Sequence, residues 1–281
     1  MDKQEIQLID VDKVLRSKAG KAHRFIPRAL VRYLERLVHQ DEINEALVEM
    51  RDLRGLEFIE EALVHRFGVE IDVVNPGNIP VTGRYFVVSN HPLGGLDGMA
   101  LMHVIGKKRR DIKFVANDIL LELNNLRDLF IPVNKHGRNP ASLVRALEAC
   151  FASDELVLIF PAGLVSRRKG REIRDLEWKK TFVTKALQHK RDVVPVFIEG
   201  QNSAFFYRLA MWRKRLGIGI NLEMLHLPDE MFRQKNKKIR IIFGKAVPYT
   251  TFTKELTHQQ WAQKMKEHVY AIPDGRLVIN G

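Results

Sequence analysis

Cysteine is nearly absent from this chain of 281 residues, which contains only Cys150. A single cysteine cannot form a disulfide bond within the chain, so a disulfide-stabilised fold is excluded. The flanking segment ALEACFAS has the apolar spacing of a helix, and no activating residue is evident around the thiol. We therefore interpret Cys150 as a core thiol rather than a nucleophile.

Long apolar segments are also missing. No stretch approaches the ~18 apolar residues that a membrane-spanning helix needs. The first residues, MDKQEIQLIDVDK, mix both charges and lack an apolar segment, so we expect no cleaved signal peptide. If the protein acts at a membrane, we expect it to lie on the surface.

Acidic residues are the minority, with 34 Asp and Glu against 46 Lys and Arg, which gives a net charge of +12. A surface this basic favours nucleic acid, an anionic bilayer or acidic small molecules. Residues 208 to 245 contain ten Lys and Arg and three acidic residues, so this segment carries more than half of the excess.

The hydrophobic pattern predicts an α/β fold, a mostly parallel central sheet flanked by helices, with an N-terminal helical subdomain. Helical spacing between residues 21 and 65 leads us to assign residues 1–80 to that subdomain and residues 81–281 to an α/β domain. After residue 83, short β-rich segments alternate with amphipathic helices. The predicted strands are 85–89, 112–116, 128–133, 155–160, 193–198 and 239–244. The predicted helices are 96–107, 118–126, 139–152, 178–189 and 203–216.

The loop after the first of these strands, NHPLGGLDG, holds the first chemical motif. His91 leaves the strand end, Gly94 and Gly95 allow a tight turn, and Asp97 lies where the next helix begins. A turn here can bring Asp97 to the His91 ring, and an imidazole oriented by a carboxylate acts as a general base. The alternative is a histidine at a helix end beside a solvated aspartate.

Two other kinds of site are missing from the sequence. No GxSxG motif is present, so we expect the substrate rather than the enzyme to supply the nucleophile. No cluster of His, Cys or carboxylates has the spacing of metal ligands, so we predict neither a metal nor a cofactor.

A second loop, FPAGLVSRRKGR, follows the predicted strand 155–160. Proline and glycine favour a tight turn, and the basic residues after it follow at the same edge of the sheet. Arginines in this place can bind a phosphate or a carboxylate through two hydrogen bonds. A solvated basic loop is the alternative.

Four motifs between residues 80 and 200 resemble those of the glycerolipid acyltransferase superfamily. In order along the chain they are Asn-His with its Asp, Phe-Ile in a later strand, Phe-Pro-x-Gly and Val-Pro-Val. This superfamily includes the lysophosphatidic acid acyltransferases. NHPLGGLDG and FPAGLVSRR are similar to its bacterial lysophospholipid-type branch, often labelled hemolysins, which includes O-acyltransferases of ornithine and glycine lipids.

The resemblance implies roles for individual residues. His91 matches the catalytic base, and Asp97 matches its charge partner. The family motifs also match Phe130, Ile131, Phe160, Pro161, Gly163, Lys179 and Pro195, which are expected to form the substrate site or to border it. Residues of the same loops and of the segment after the second motif complete the predicted substrate site: Asn90, Gly94, Gly95, Lys135, Arg138, Ser166, Arg167 and Arg168.

Several positions depart from the family pattern. Five residues separate His91 from Asp97 where four are usual, and we expect the glycine pair to absorb the extra one. Ala162 replaces a usual Glu, Arg167 lies later than the usual Arg, and Val133 replaces the second motif's Arg. These positions usually contact the acceptor's phosphate, so a lyso-lipid with another head group fits at least as well as glycerol phosphate.

The chemistry that follows is transfer of an acyl group from a thioester to a lyso-lipid hydroxyl in membrane lipid biosynthesis. Acyl carrier protein or coenzyme A could carry the acyl group, and both are acidic. Backbone N–H groups of the glycine-rich turn could stabilise the oxyanion. The alternatives are a hydrolase that activates water with the same residues and a nucleic-acid-binding protein, for which no known motif is present.

The segment SAFFYRLAMWRKRLGIGI has the composition of an interfacial helix. We predict that it contacts anionic lipid and places the protein in the cytoplasm on the inner face of the cytoplasmic membrane. The predicted membrane residues are Phe205, Phe206, Trp212, Arg213, Lys214 and Arg215. The alternative is a core-packed helix with a basic solvent face. Residues 23–28 are a second candidate for surface contact, although their apolar side chains favour packing on the core.

Overall fold

The computed structural model describes residues 8–117, 123–133, 140–219 and 221–279. Within these residues, seven strands form one sheet in the order β1-β9-β8-β2-β5-β3-β4. All neighbouring pairs are parallel except β8 and β9. A mixed α/β fold with a mostly parallel central sheet is therefore confirmed.

The sheet strands are β1 (Glu70–Val74), β2 (Tyr85–Ser89), β3 (Ile112–Asn117), β4 (Phe130–Val133), β5 (Leu156–Ile159), β8 (Asp192–Ile198) and β9 (Lys238–Phe243), and a two-stranded antiparallel hairpin is formed by β6 (Arg167–Lys169) and β7 (Glu172–Arg174). The helices are α1 (Val11–Ala19), α2 (Arg28–Leu37), α3 (Gln40–Glu49), α4 (Gly55–Glu60), α5 (Gly95–Gly106), α6 (Ala141–Ala152), α7 (Thr181–His189), α8 (Ala204–Arg215), α9 (Leu227–Phe232) and α10 (His258–Ala271).

Both faces of the sheet are covered, which explains the nearly continuous apolar sequence of its central strands. Side chains of one strand alternate between the faces: in β2, Val87 packs in one hydrophobic cluster and Phe86 and Val88 pack in the other. Helix α5 covers the Val87 face, and helices α6, α7 and α10 cover the opposite face.

Helices α3 and α4, which precede β1, share the core of the sheet. Leu47 of α3 and Phe58 of α4 pack in the same cluster as Val87 of β2. Strand β1, which lies in the range assigned to the helical subdomain, pairs in parallel with β9 at the edge of the central sheet. The division of the chain at residue 80 stays a prediction.

The six predicted strands are present, and their ends differ from the prediction by at most two residues. Strand β1, the β6–β7 hairpin and helices α9 and α10 are additional elements. Residues 118–122 of the predicted helix 118–126 lie outside the described residues, and Asn124–Leu129 forms a 3-10 helix instead. In the described parts of the chain, no helix combines the length and apolar character needed to cross a membrane.

Strands β2, β3, β4, β5 and β8 run in the same direction, so their carboxyl ends meet at one edge of the sheet. This edge is where open α/β sheets bind their ligands. The two sequence motifs follow β2 and β5, which are neighbours. The topology therefore brings the motifs together.

Candidate active site

His91 and Asp97 are hydrogen-bonded at the end of β2. The Nδ1 atom of His91 lies 3.0 Å from Oδ2 of Asp97. Asp97 occupies the third position of α5, and the same oxygen accepts the backbone N–H groups of Leu93 at 2.8 Å and Gly94 at 3.1 Å. Gly94 has φ +80°, a conformation that glycine adopts without strain. This turn accommodates the five residues between histidine and aspartate.

The Asp97 carboxyl group is fully buried. Burial raises its pKa above the ordinary value, although the hydrogen bond with His91 opposes this effect. Its second oxygen, Oδ1, has no hydrogen-bond partner among the described residues. Asp97 is therefore held entirely through the oxygen that contacts His91.

The face of the His91 ring packs on Phe160, which follows β5. The two ring centroids are 4.1 Å apart and the rings are nearly parallel. Phe160 contacts Phe114 edge to face, and Phe114 contacts Phe130 in the same way. A series of aromatic rings thus connects His91 to Phe130, the position expected at the acceptor site.

The His91 side chain is 17% exposed. Its Nδ1 atom is hydrogen-bonded to Asp97, whereas its Nε2 atom has no hydrogen-bond partner in the part of the chain that the structure describes. The arrangement leaves one ring nitrogen available to a substrate proton. A fixed imidazole with one free nitrogen is suited to general-base chemistry.

The loop after β5 forms a tight turn beside His91. Gly163 has φ +65°, and its N–H donates to the carbonyl of Phe160. The Lys179 backbone N–H donates to the carbonyl of Pro161 at 3.0 Å, and a Cβ built on Gly163 would lie 3.4 Å from Lys179 Nζ. Lys179 is exposed, so its ammonium group covers the turn from the solvent side.

Several predicted substrate residues are buried. The Asn90 side chain accepts the N–H of Ile198 at 2.7 Å and donates to its carbonyl at 2.8 Å, which fastens the end of β2 to the end of β8. The other buried positions are Gly94, Phe130, Ile131, Pro161, Ser166 and Pro195. Gly95, Gly163 and Arg168 are exposed. Lys135 and Arg138 lie outside the described residues.

Arg167 does not extend freely from a solvated loop. Its Nη2 atom lies 2.9 Å from Oε1 of Glu223, a carboxylate with no exposed area. Arg213 of α8 lies 2.9 Å from the other oxygen of the same carboxylate. Burial lowers the pKa of Arg167, while the charge of Glu223 opposes the shift. Arg167 and Arg213 therefore share one buried carboxylate in a largely buried ion-pair network, and their expected contacts with substrate and lipid stay predictions.

Helix α8 has one buried and one exposed face. Phe206 is fully buried against Val165, so it is not at the surface where a membrane contact was expected. The exposed face, which we call the α8 surface, consists of Phe205, Arg208, Met211, Trp212 and Arg215. Trp212 is 63% exposed, and Lys214 is also exposed. The helix thus has both the core-packed face and the exposed aromatic and basic face that the sequence left as alternatives.

Two further acidic residues were not identified from the sequence. Glu223 is far from the motifs along the chain, and Asp175 lies in a charged segment between the basic loop and α7. The structure places Asp175 against the backbone of His91, with its Oδ1 atom 3.1 Å from the His91 nitrogen. The sole signal in the sequence was the apolar Trp178 three residues after Asp175, which indicates burial of this segment.

Comparison with known proteins gives the family. A family model described as Acyltransferase matches residues 13–273. A lyso-glycine lipid O-acyltransferase of Bacteroides thetaiotaomicron is 48% identical over 266 residues, which cover 94% of this chain and 97% of the relative. A protein of the same name from Phocaeicola vulgatus is 45% identical over 273 residues, which cover 97% of this chain and 98% of the relative.

A solved structure has the same fold. The crystal structure of the 1-acyl-sn-glycerophosphate (LPA) acyltransferase PlsC from Thermotoga maritima gives a TM-score of 0.50 at 19% identity, and the match covers 79% of this chain and 80% of that one. At this identity the match concerns the fold alone. The family model and the two relatives extend over nearly the whole chain, and the protein therefore belongs to the glycerolipid acyltransferase superfamily.

Proposed function

We propose that this protein transfers an acyl group from a thioester to the hydroxyl group of a lyso-lipid, with His91 as the general base. The observation that carries the proposal is the hydrogen bond between His91 Nδ1 and the buried Asp97, which leaves Nε2 free. The names of the two relatives, lyso-glycine lipid O-acyltransferases, support the same reaction class.

In the proposed reaction, His91 Nε2 takes the proton of the acceptor hydroxyl as the hydroxyl oxygen bonds to the thioester carbonyl carbon. The carbon–sulfur bond then breaks, and the imidazolium returns the proton to the thiolate. The products are an ester and a free thiol. Asp97 fixes the tautomer of His91 and stabilises the imidazolium, and no covalent enzyme intermediate is needed.

The N–H groups of the glycine-rich turn are not equally available to a developing oxyanion. The N–H groups of Leu93 and Gly94 are directed at Asp97, so they are not available to a developing oxyanion. Gly95 is the exposed residue of the turn and the first residue of α5, where backbone N–H groups lack a partner within the helix. We propose the Gly95 N–H as the oxyanion donor.

We further propose that the acceptor is a lyso-glycine lipid or a similar lyso-lipid with a carboxylate head group. Ala162 is buried where the family has glutamate, and Arg167 is bound to Glu223, so the usual phosphate contacts are altered. Lys179 covers the Gly163 turn and Arg168 is exposed nearby along the chain. Because its Nζ atom lies against Gly163, we propose that Lys179 binds the carboxylate beside the turn.

The acyl donor and the location are also proposals. Either acyl carrier protein or coenzyme A fits, because both are acidic and this protein has a net charge of +12. We propose that the protein is cytoplasmic and binds the inner face of the cytoplasmic membrane through the α8 surface. The buried face of α8 packs on Val165 in the loop beside His91, so this helix borders the candidate site.

The test combines two donors with three acceptors. Purified protein is given acyl carrier protein or coenzyme A thioesters with lyso-glycine lipid, lyso-ornithine lipid or lysophosphatidic acid, and the ester product is measured by mass spectrometry. We expect the highest kcat/KM with lyso-glycine lipid and a lower value with lysophosphatidic acid. Release of free fatty acid with no ester on any acceptor would instead support the hydrolase and contradict the proposal.

A further inference from the structure

The main chain of His91 is held on both sides by one segment. The His91 N–H donates to Oδ1 of Asp175 at 3.1 Å, and the His91 carbonyl accepts the N–H of Ser166 at 2.7 Å. Ser166 and Asp175 lie immediately before and after the β6–β7 hairpin. The hairpin therefore brings two residues to the peptide groups of a residue that follows a different strand.

Asp175 is itself fixed in a buried network. Its side chain accepts the Ser166 hydroxyl at 2.6 Å on Oδ1 and the Trp178 indole N–H at 2.8 Å on Oδ2. Its backbone N–H donates to the Tyr270 hydroxyl, and its carbonyl accepts Lys266 Nζ, each at 2.7 Å. The residue is 4% exposed. Both carboxylate oxygens and both backbone groups of Asp175 thus have partners.

The contacts of His91 divide into two sets. Asp97 and Phe160 determine the orientation of the ring. Asp175 and Ser166 determine the position of the backbone from which the ring extends. We propose that Asp175 is a positioning residue for acyl transfer, which places His91 Nε2 at the correct distance from the acceptor hydroxyl. This inference rests on the proposed role of His91 as the base.

An amide cannot replace the Asp175 carboxylate without losing a contact. Its NH2 group would face a donor, either the Trp178 indole N–H or the His91 N–H and Ser166 hydroxyl. The orientation that keeps the contact with His91 places the NH2 group against the Trp178 indole N–H, so the side chain must shift and the acceptor of the His91 N–H is displaced with it. A displacement of about 1 Å at a reacting group can cost on the order of 100-fold in rate.

The first test compares Asp175→Asn with Asp192→Asn in the full-length protein. Asp175→Asn changes the carboxylate that holds His91. Asp192→Asn changes a half-buried carboxylate that accepts the Tyr249 backbone N–H at 2.9 Å, at the start of β8 and away from the carboxyl ends of the strands. With acyl thioester and lyso-glycine lipid, well below the Tm of each variant, we expect kcat of Asp175→Asn to fall about 10- to 100-fold while both KM values change less than twofold. Asp192→Asn should keep the kcat of the unmodified protein.

Ser166→Ala is a second variant, which removes one hydroxyl from the Asp175 carboxylate with little change in volume. We expect about a 3- to 10-fold loss of kcat with unchanged KM, and this variant decides the test if Asp175→Asn does not fold. A kcat within twofold of the unmodified protein for the folded Asp175→Asn, or for Ser166→Ala in its place, would overturn the inference, as would an equal loss in Asp192→Asn. If His91→Ala retained full activity, the proposed base itself would be wrong.

Discussion

The guanidinium group of Arg213 lies 2.9 Å from the carboxylate of Glu223, which has no exposed surface. Arg167 contacts the other oxygen of that carboxylate, also at 2.9 Å. One acidic side chain thus joins α8 to the start of the β6–β7 hairpin, next to Ser166 and the loop beside His91. The orientation of the exposed face of α8 depends on this network.

Glu223→Ala should destabilise the protein, because it leaves two largely buried arginines without their shared partner. Breaking such a pair costs roughly 3 kcal/mol, which lowers Tm by several degrees. Thermal unfolding measures the effect, and Glu199→Ala serves as a control because Glu199 is exposed. An equal Tm for the two variants would contradict the structural role of Glu223.

Removing two cations of α8 should weaken binding to anionic membranes. Lys214 and Arg215 are exposed, and each basic residue near an anionic surface contributes about 1 kcal/mol, so Lys214→Gln with Arg215→Gln should raise Kd roughly 30-fold. Sedimentation with phosphatidylglycerol vesicles measures Kd. The control is Lys107→Gln with Lys108→Gln, at the opposite end of α5 from the candidate site. Equal binding by both double variants would reject the α8 surface as the membrane contact.

Asp97→Asn should change the pH dependence of stability and, through a different cause, the rate of acyl transfer. Burial raises the pKa of Asp97 above that of an unfolded aspartate, so its ionisation in the folded state opposes folding. At low pH the protonated carboxyl group contributes favourably to the free energy of unfolding. This contribution is lost as pH rises through the raised pKa of the folded state. The Tm of Asp97→Asn relative to the unmodified protein should therefore increase from pH 4 to pH 8.

The same variant should lose about 1,000- to 10,000-fold in kcat, because an amide no longer stabilises the His91 imidazolium. Calorimetry across the pH range and product formation at pH 8 measure the two effects. A Tm difference that is constant with pH would contradict the assigned effect of burial, and a kcat above one tenth of the original would contradict the role of Asp97.

Cys150 should be unreactive in the folded protein. The thiol is buried, and burial raises its pKa to about 12, so almost no thiolate is present at neutral pH. Iodoacetamide should modify Cys150 only after unfolding, and Cys150→Ala should keep full acyl transfer. Mass spectrometry of the treated native protein measures the first effect. Inactivation by stoichiometric alkylation of the native protein would show that the thiol is accessible.

The central sheet could be predicted from the sequence because its strands are buried on both faces and are nearly continuous in apolar residues. Strand β1 was missed because Glu70–Val74 is a short edge strand in which Glu70 and Asp72 interrupt the apolar pattern. The β6–β7 hairpin was missed because its sequence is mostly charged. Its position depends on contacts with distant residues, such as the bond from Arg167 to Glu223.

The two motif loops could be expected to meet because parallel strands end at one edge of the sheet, and the structure brings His91, Asp97 and Phe160 into contact. The sequence could not distinguish Arg213 from Arg215, since helical spacing does not indicate which cation meets an acidic group on another segment. The contact of Asp175 with His91 was equally hidden, because 84 residues separate them.

The role of His91 is tested most directly by the kcat of His91→Ala with saturating acyl thioester and lyso-glycine lipid. The variant must be folded, with the Tm and vesicle binding of the unmodified protein. General-base catalysis predicts that kcat falls about 100- to 10,000-fold while both KM values change little. A folded His91→Ala variant that forms the ester at more than one tenth of the original kcat would contradict the proposed mechanism.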